Sequence, residues 1–170
     1  GLGFVGTNLI NYLLEDKNNK IFSIDYKKIQ MNTIYELDKI TTFKINLTSK
    51  NLINILKDIK PEIIFNLAAE SQVLRSSDNP SKTYKSNIFG TLNLFDSLRM
   101  LDLNPTIIHA STDKVYGISK DLPYKEDHKL SSNFTYDVSK ISADFIAQNY
   151  KHVYEQNITI FRSSNIYGPA

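Results

Sequence analysis

A tyrosine and a lysine stand four residues apart near the start of a predicted helix, at Tyr136 and Lys140. Residues at this spacing lie on the same face of a helix, so the phenol and the ammonium group can act together. A free tyrosine, with a pKa of about 10, is a poor base at neutral pH. A nearby ammonium favours the phenolate and lowers that pKa. The pair predicts a site that removes a proton from a hydroxyl group, although the same spacing is also common on exposed helices.

A second group of polar residues follows directly after a predicted buried strand: Ser111, Thr112, Asp113 and Lys114. Open α/β sheets bind their ligands at the carboxyl ends of their strands, which is where this group lies. A hydrogen-bonded turn would explain the aspartate, but a simple reversal does not require an acid beside a base. Asp113 is therefore a candidate general acid and Lys114 a candidate base, each with a pKa shifted by burial or by a charged neighbour.

The chain opens on a glycine-rich turn in which Gly1, Gly3 and Gly6 spell G-x-G-x-x-G before a predicted helix. Glycines permit a tight turn and a close approach of the backbone to a pyrophosphate. The helix N-terminus adds free amide groups and the positive end of the helix dipole. Because a turn before a helix can need glycine for steric reasons alone, the motif is weak by itself.

An aspartate at the end of the next predicted strand, Asp25, strengthens the interpretation of the glycine turn. A carboxylate about 20 residues after the glycines can accept hydrogen bonds from both ribose hydroxyls of a dinucleotide and would repel a 2′-phosphate. The pattern thus favours NAD over NADP as the cofactor. Lys27 and Lys28, which lie close by, leave NADP open as an alternative.

The elements that must position these residues alternate along the chain. Apolar residues at helical spacing predict helices near 6–16, 52–59, 80–98 and 136–150, and apolar runs predict strands at 21–25, 41–47, 62–67, 106–110 and 158–161. The strands are continuous apolar runs, which indicates burial on both faces. The predicted fold is α/β, a Rossmann-type doubly wound parallel sheet with helices on both faces.

Length and composition are those of one ordinary globular domain, with 170 residues, 41% hydrophobic and 22% charged. The chain has no cysteine, and its three histidines share no metal-ligand spacing, so we expect no disulfide, no thiolate nucleophile and no metal. Twenty basic and 18 acidic residues are well mixed and give a net charge of +2, which disfavours nucleic acid as a partner. Without a long apolar run or a signal peptide, we expect a cytoplasmic protein and no membrane segment.

Both ends of the sequence indicate a piece of a longer protein. The first residue is a glycine already inside a motif, and the last residues, Tyr167-Gly168-Pro169-Ala170, have the chemistry of a loop. We therefore expect residues 1–170 to be an NAD-binding domain truncated at both ends. The first strand of the sheet and most of a C-terminal substrate domain would lie outside it.

Together these residues resemble the NAD-dependent epimerases and dehydratases of the extended short-chain dehydrogenase/reductase superfamily. The resemblance covers essentially the whole chain, and its markers occur in the family's order. They are Gly3-Phe4-Val5-Gly6, Asn66-Leu67-Ala68-Ala69, Ser111-Thr112-Asp113, Val115-Tyr116-Gly117, Tyr136 with Lys140, and Asn165-Ile166-Tyr167-Gly168-Pro169. In that family the glycine motif is TGxxGxxG, which makes Gly3 and Gly6 its second and third glycines and Gly1 an intervening residue.

The resemblance implies which residues contact NAD and substrate. NAD would contact Gly3, Phe4, Val5, Gly6, Asp25, Asn46, Leu47, Leu67, Ala68, Ala69, Asn87, Tyr136 and Lys140. A nucleotide-sugar would contact Ser71, Thr112 and Asn165. Asn46 departs from the aspartate that relatives commonly have near the adenine, and an amide can still form a hydrogen bond there.

Within the superfamily, the Thr-Asp pair before Val-Tyr-Gly resembles the nucleotide-sugar 4,6-dehydratases. Relatives that act on dTDP-glucose carry glutamate where this chain has Lys114, so this segment resembles the CDP-glucose 4,6-dehydratase branch instead. The segment 69–73 leans toward the dTDP-glucose enzymes and leaves the nucleotide open.

The resemblance also implies a role for each candidate catalytic residue. Tyr136 would deprotonate the C4 hydroxyl with Lys140 tuning it, and Thr112 would bind O4. Lys114 would act as the base at C5, and Asp113 as the acid that protonates the departing C6 hydroxyl.

Two other functions remain as alternatives. A nucleotide-sugar 4-epimerase shares the tyrosine and lysine but needs no acid and base for water loss, so Asp113 and Lys114 argue against it. A non-catalytic NAD-binding protein of the same fold would have no need of Thr112, Tyr136 and Lys140. The family also implies a homodimer, with the long helices from about Pro80 and from Tyr136 as the candidate interface.

Overall fold

The computed structural model describes residues 2–26, 36–119 and 122–168. Its five strands are β1 (Ile21–Asp25), β2 (Ile40–Lys44), β3 (Ile63–Asn66), β4 (Thr106–Ala110) and β5 (Ile158–Phe161). Its α-helices are α1 (Phe4–Leu13), α2 (Leu52–Ile59), α3 (Val73–Asp78), α4 (Pro80–Tyr84), α5 (Gly90–Met100) and α6 (Thr135–Val153). The alternation of strands and helices predicted from the sequence is confirmed.

The strands pair in parallel throughout, as the continuous apolar runs predict. β1 pairs with β2, and β3, β4 and β5 form a second sheet in that order. Among the described residues no strand joins β1 to β3, so the expected single sheet is present as two parallel parts. Because the strands within each part run the same way, the turns after β3, β4 and β5 meet at one edge.

Helices cover both faces of β1. Ile21 packs beside Ile10 of α1, whereas Ile24 packs against the cluster built from α2, α5 and α6. Since residues three apart on a strand point to opposite faces, the two groups of helices lie on opposite sides. The main core consists of Leu52, Leu56, Leu94, Phe95, Leu98, Ile107, Ala147, Tyr150 and Ile158.

The long helix predicted from Pro80 is present but not regular. Lys85–Phe89 form a π-helical segment between α4 and α5, and a single such segment often marks a functional site. The short helix α3 and a 3₁₀ turn, Asp113–Tyr116, lie in segments for which the sequence predicts neither a helix nor a strand. Both are single turns or little more, too short for a periodic apolar pattern to show.

A helix both long enough and apolar enough to cross a bilayer does not occur among the described residues.

Candidate active site

Tyr136 and Lys140 lie in the first two turns of α6, where the sequence predicts them. Both side chains are buried, with 8% and 4% of their surface exposed. The Lys140 Nζ donates a hydrogen bond of 2.6 Å to the carbonyl oxygen of Ala110, the last residue of β4. Burial lowers the pKa of Lys140 to about 8, and the charge of Asp144 opposes that change. Lys140 therefore joins α6 to the carboxyl end of β4.

The expected lowering of the tyrosine pKa is wrong for the protein chain taken alone. Burial raises the pKa of Tyr136, the charges of Asp137 and Asp113 raise it further, and a hydrogen bond with Thr112 lowers it. The sequence argument assumed that the Lys140 ammonium acts on the phenol. In the structure that ammonium is hydrogen-bonded to a backbone carbonyl, and removal of water from around the phenolate is the larger effect.

The turn after β4 brings three predicted residues beside Tyr136. The Thr112 hydroxyl donates to Asp113 Oδ1 at 3.2 Å and accepts from the Lys114 amide at 3.4 Å. The Asp113 amide donates to the Ser163 carbonyl, which ties this turn to the segment after β5. Thr112 is buried, whereas the Asp113 and Lys114 side chains keep 30% and 38% of their surface exposed. An acid and an amine thus lie within reach of solvent or a substrate, next to a buried phenol.

Asn165 joins this group from the segment after β5. The Lys114 Nζ donates to Asn165 Oδ1 at 3.3 Å and lies 3.9 Å from Asp113 Oδ1. The structure therefore places Asn165, a candidate for substrate binding, beside the catalytic candidates Asp113 and Lys114, which lie about 50 residues earlier in the sequence.

The glycine turn lies against the predicted ribose-binding aspartate. The Leu2 amide donates to Asp25 Oδ2 at 2.7 Å. A Cβ atom at Gly3 would meet nothing within 4 Å in the described part of the chain, so packing among these residues does not explain the glycine. A Cβ atom at Gly168 would lie 3.7 Å from the Phe4 ring, which brings the end of the described chain to the same turn. Gly1, Lys27 and Lys28 lie outside the described residues.

Other predicted NAD contacts already have partners within the protein. The Asn46 Oδ1 accepts from the amide and the hydroxyl of Thr48, which forms a turn before α2. Leu47 packs against the main core, 3.3 Å from where a Cβ atom of Gly90 would lie. Leu67, Ala68, Ala69 and Ser71 follow β3 on the edge that also carries the turn after β4.

Asn87 sits in the π-helical segment and is 1% exposed. Its Oδ1 accepts from the Glu70 amide at 2.7 Å, and its Nδ2 donates to the Glu70 carbonyl and to Ser139 Oγ, the latter at 2.9 Å. Ser139 Oγ in turn donates to the Tyr136 carbonyl at 2.6 Å. The predicted contact of Asn87 with NAD stays a prediction. The observed partners of Asn87 attach α6 to the segment after β3.

The sequence analysis did not find the buried carboxylate of Asp144 or its pairing with Arg162. The structure assigns Arg162 to an ion pair, since its Nε lies 2.9 Å from Asp144 Oδ2. The spacing of Lys140 and Asp144 on one helix face was the available signal, but nothing in the sequence showed that Arg162 would reach it.

Among residues 2–26, 36–119 and 122–168 no group of three His, Asp or Glu side chains could hold a metal ion.

Comparison with known proteins places these features in a family. The family described as GDP-mannose 4,6 dehydratase matches residues 1–170, which is the entire chain. The chain belongs to this family. Relatives and solved structures that match the chain include nucleotide-sugar epimerases and 4,6-dehydratases, and some of the structures contain NAD.

The individual proteins that match this chain include both epimerases and dehydratases. A UDP-glucose 4-epimerase of Mycolicibacterium smegmatis is 27% identical over 98% of this chain and 54% of its own length. A GDP-mannose 4,6-dehydratase of Vibrio cholerae is 36% identical over 62% of this chain and 29% of its own length. The structure of a dTDP-glucose 4,6-dehydratase from Bacillus anthracis in complex with NAD is 28% identical, with a TM-score of 0.85, over 99% of this chain and 54% of that one. The epimerase and the Bacillus anthracis structure each match nearly all residues of this chain. The chain spans about half the length of each of these two proteins.

Proposed function

We propose that the full-length protein is an NAD-dependent nucleotide-sugar 4,6-dehydratase. The observation that carries the proposal is the arrangement of Asp113 and Lys114 on one turn, next to Thr112 and close to Tyr136. Of the protein side chains, oxidation at C4 by a hydride acceptor needs only a base and a hydroxyl-binding group. Loss of water across C5 and C6 needs in addition a base at C5 and an acid at the C6 hydroxyl, and these two residues supply that pair.

The residues around the glycine turn fit a dinucleotide. The open space at Gly3 is of the kind that a closely approaching phosphate would fill, and the α1 N-terminus beside it has no side-chain cap. Asp25 lies next to this turn and would bind the ribose hydroxyls. NAD, when bound, supplies a hydride acceptor at C4 that later gives the hydride back at C6.

The chain's own residues then divide the proton transfers. Tyr136 takes the proton of the C4 hydroxyl, while Thr112 holds that oxygen through its hydroxyl. The resulting C4 ketone makes the C5 hydrogen acidic, and Lys114 removes it as a proton and gives a solvent-derived proton back to C5 when the hydride returns to C6. Asp113 gives a proton to the departing C6 hydroxyl, which leaves as water. Asn165 holds Lys114 in place from the neighbouring segment.

A 4-epimerase is the second candidate, because the UDP-glucose 4-epimerase match covers nearly the whole chain. Thr112, Tyr136 and Lys140 would serve either enzyme. Asp113 and Lys114 favour the dehydratase, since an epimerase only oxidises and reduces C4. The nucleotide, with CDP-glucose as the first substrate to try, belongs to the proposal.

The proposal extends to the assembly. We propose a homodimer built on the long helices, because α5 and α6 leave large apolar side chains such as Met100, Phe145 and Val153 more than half exposed. We also propose that a strand outside residues 1–170 joins the two parts of the sheet, because among the described residues β1 pairs only with β2 and β3 only with β4.

The deciding experiment incubates the full-length protein in D₂O with CDP-glucose, dTDP-glucose, GDP-mannose and UDP-GlcNAc in turn, followed by mass spectrometry. A dehydratase yields a product that has lost one water and gained one solvent deuteron at C5. Asp113→Asn should keep C4 oxidation but slow water loss by about 10²-fold or more. A product of unchanged mass with inverted C4 would establish the epimerase, and NAD binding without turnover would establish a non-catalytic protein.

A further inference from the structure

Asp144 is fully buried one helical turn beyond Lys140 on α6. Its Oδ2 accepts from Ser111 Oγ at 2.7 Å and from Arg162 Nε at 2.9 Å. Its Oδ1 accepts from Arg162 Nη2 at 3.0 Å and from Gln148 Nε2 at 2.7 Å. Burial favours the neutral acid, but these hydrogen bonds outweigh it and hold the pKa of Asp144 below its ordinary value. Asp144 is therefore a charged acceptor at neutral pH, with both oxygens in use.

Arg162 extends the network to the far side of the candidate site. Its Nη1 donates to the Tyr116 hydroxyl at 2.8 Å and to the Glu126 carbonyl at 2.9 Å, and its guanidinium lies 5.3 Å from the centre of the Tyr116 ring. Tyr116 ends the 3₁₀ turn that begins with Asp113. One ion pair thus connects α6, the 3₁₀ turn and the segments around residues 126 and 162.

Ala110, the last residue of β4, and Ser111, which follows it, are both attached to α6. Lys140 Nζ holds the Ala110 carbonyl, and Asp144 holds the Ser111 hydroxyl. The next residue along the chain is Thr112, whose hydroxyl lies close enough to the Tyr136 phenol to lower its pKa. With two anchors directly before it, the backbone at Thr112 has little freedom to move relative to the helix that carries Tyr136.

We propose that Asp144 and Arg162 are positioning residues that, through Ser111, fix the Thr112 hydroxyl against the Tyr136 phenol. The inference rests on the proposed function, because it concerns the step in which Tyr136 removes a proton from a hydroxyl bound by Thr112. A buried ion pair contributes little net stability compared with apolar side chains of the same volume. Its directional hydrogen bonds instead set the geometry of the two segments, and catalysis depends on that geometry to within about 1 Å.

The test removes one hydrogen bond and leaves the ion pair intact. In the full-length protein, Ser111→Ala takes away the donor to Asp144 Oδ2, whereas Ser142→Ala is a matched control. Ser142 lies on α6, the helix that carries Tyr136 and Asp144. Its hydroxyl donates only within that helix, to the Val138 carbonyl at 2.9 Å. Ser111→Ala should lower kcat on the order of tenfold and leave KM within about twofold, because the loss falls on the transition state. Ser111→Thr, which keeps the hydroxyl, should recover most of kcat.

A second measurement does not depend on turnover. The Tyr136 phenol is titrated by NMR with ¹³C-labelled tyrosine, and its signal is assigned by its absence in Tyr136→Phe. Since the hydrogen bond with Thr112 lowers the pKa of Tyr136, Ser111→Ala should raise that pKa and Ser142→Ala should not. Asp144→Asn keeps the size of the side chain but removes its charge. This variant should weaken the contact between Thr112 and Tyr136 and lower kcat below that of Ser111→Ala.

Equal kcat values and equal Tyr136 titrations in Ser111→Ala and Ser142→Ala would overturn the positioning role. If the wild-type protein converts no nucleotide-sugar, the proposed function fails, and the titration alone then decides whether Ser111 and Asp144 position Thr112.

Discussion

At the scale of single residues, Lys140 shows how burial and hydrogen bonding share control of the site. Its ammonium group is almost fully enclosed, and the pKa of about 8 leaves it mostly charged at neutral pH. A buried charge is tolerated only where partners compensate for lost water. Here the Ala110 carbonyl and the charge of Asp144 do so. The lysine is thus held in a fixed position against the end of β4.

The residue whose loss should cost most activity is Tyr136. We expect Tyr136→Phe to lower kcat/KM about 10²–10⁴-fold, because general base catalysis contributes on that order and phenylalanine cannot accept a proton. Steady-state kinetics of the full-length protein measure this. Tyr150→Phe is the control, since Tyr150 is also buried on α6 but its hydroxyl donates to Asp96, away from the site. If Tyr136→Phe retained activity within tenfold of Tyr150→Phe, Tyr136 would not be the base.

The sequence predicts the chemistry-bearing residues better than their partners. Tyr136 and Lys140 share a helix, so their spacing alone places them together. Thr112, Asp113 and Lys114 follow a strand, and the rule for parallel sheets places them at the ligand edge. Asp144 and Arg162 lie 18 residues apart in the sequence, and their pairing depends on how α6 packs beside β5. No local pattern encodes that distance, and so the ion pair became visible only in the structure.

At the scale of elements, two glycines with different surroundings test what each turn requires. Gly117 has a φ of +66°, and a Cβ atom there would lie 2.0 Å from the Ser131 carbonyl oxygen. Gly117→Ala should therefore destabilise the fold by at least about 2 kcal/mol, through backbone strain and a clash with backbone. Gly3→Ala meets open space and no strain, so it should leave the unfolding temperature nearly unchanged and weaken NAD binding instead.

Thermal unfolding and calorimetric NAD titration of both variants check this pair of outcomes. An equal loss of stability in the two variants would mean that the space at Gly3 is filled by packing. Unchanged NAD binding in Gly3→Ala would mean that no phosphate approaches that backbone.

The predicted elements agree with the structure where an apolar run has sharp ends. β4 and β5 have the predicted bounds, and α2 ends at Ile59, followed by Lys60 with left-handed backbone geometry and then by Pro61. The π-helical segment Lys85–Phe89 escaped prediction because its sequence is compatible with a regular helix. Its buried Asn87 bonds to residues 70 and 139, and such tertiary contacts decide where a helix departs from regularity.

At the scale of the whole molecule, the sequence predicts parallel strands and helices on both faces but not how the strands divide. Pairing of β1 with β2, and of β3 with β4 and β5, depends on contacts between segments far apart in the chain. Apolar runs show that a strand is buried and leave its neighbours undetermined. The order of the strands is therefore known from the structure and not from the sequence.

The last prediction concerns stability of the whole molecule against acid, and it rests on His109 in the middle of the core. Burial lowers the pKa of His109 to about 3, with a further contribution from Lys140 and an opposing one from Asp144. The unfolded chain takes up this proton near pH 6.5, whereas the folded protein does so only near pH 3. The neutral imidazole therefore contributes stability above pH 6.5 that is lost progressively as the pH falls toward 3.

Relative to His109→Gln, the free energy of unfolding of the full-length wild-type protein should fall by about 2 kcal/mol between pH 7 and pH 5, since each pKa unit corresponds to about 1.4 kcal/mol. Glutamine can still form a hydrogen bond with Asn66, the partner of His109 Nδ1. Urea unfolding at several pH values measures the difference, and His152→Gln controls for removal of an exposed histidine from the end of α6. A difference that stays constant from pH 7 to pH 5 would contradict a neutral imidazole in the core, because only a group that titrates differently in the folded and unfolded states makes that difference depend on pH.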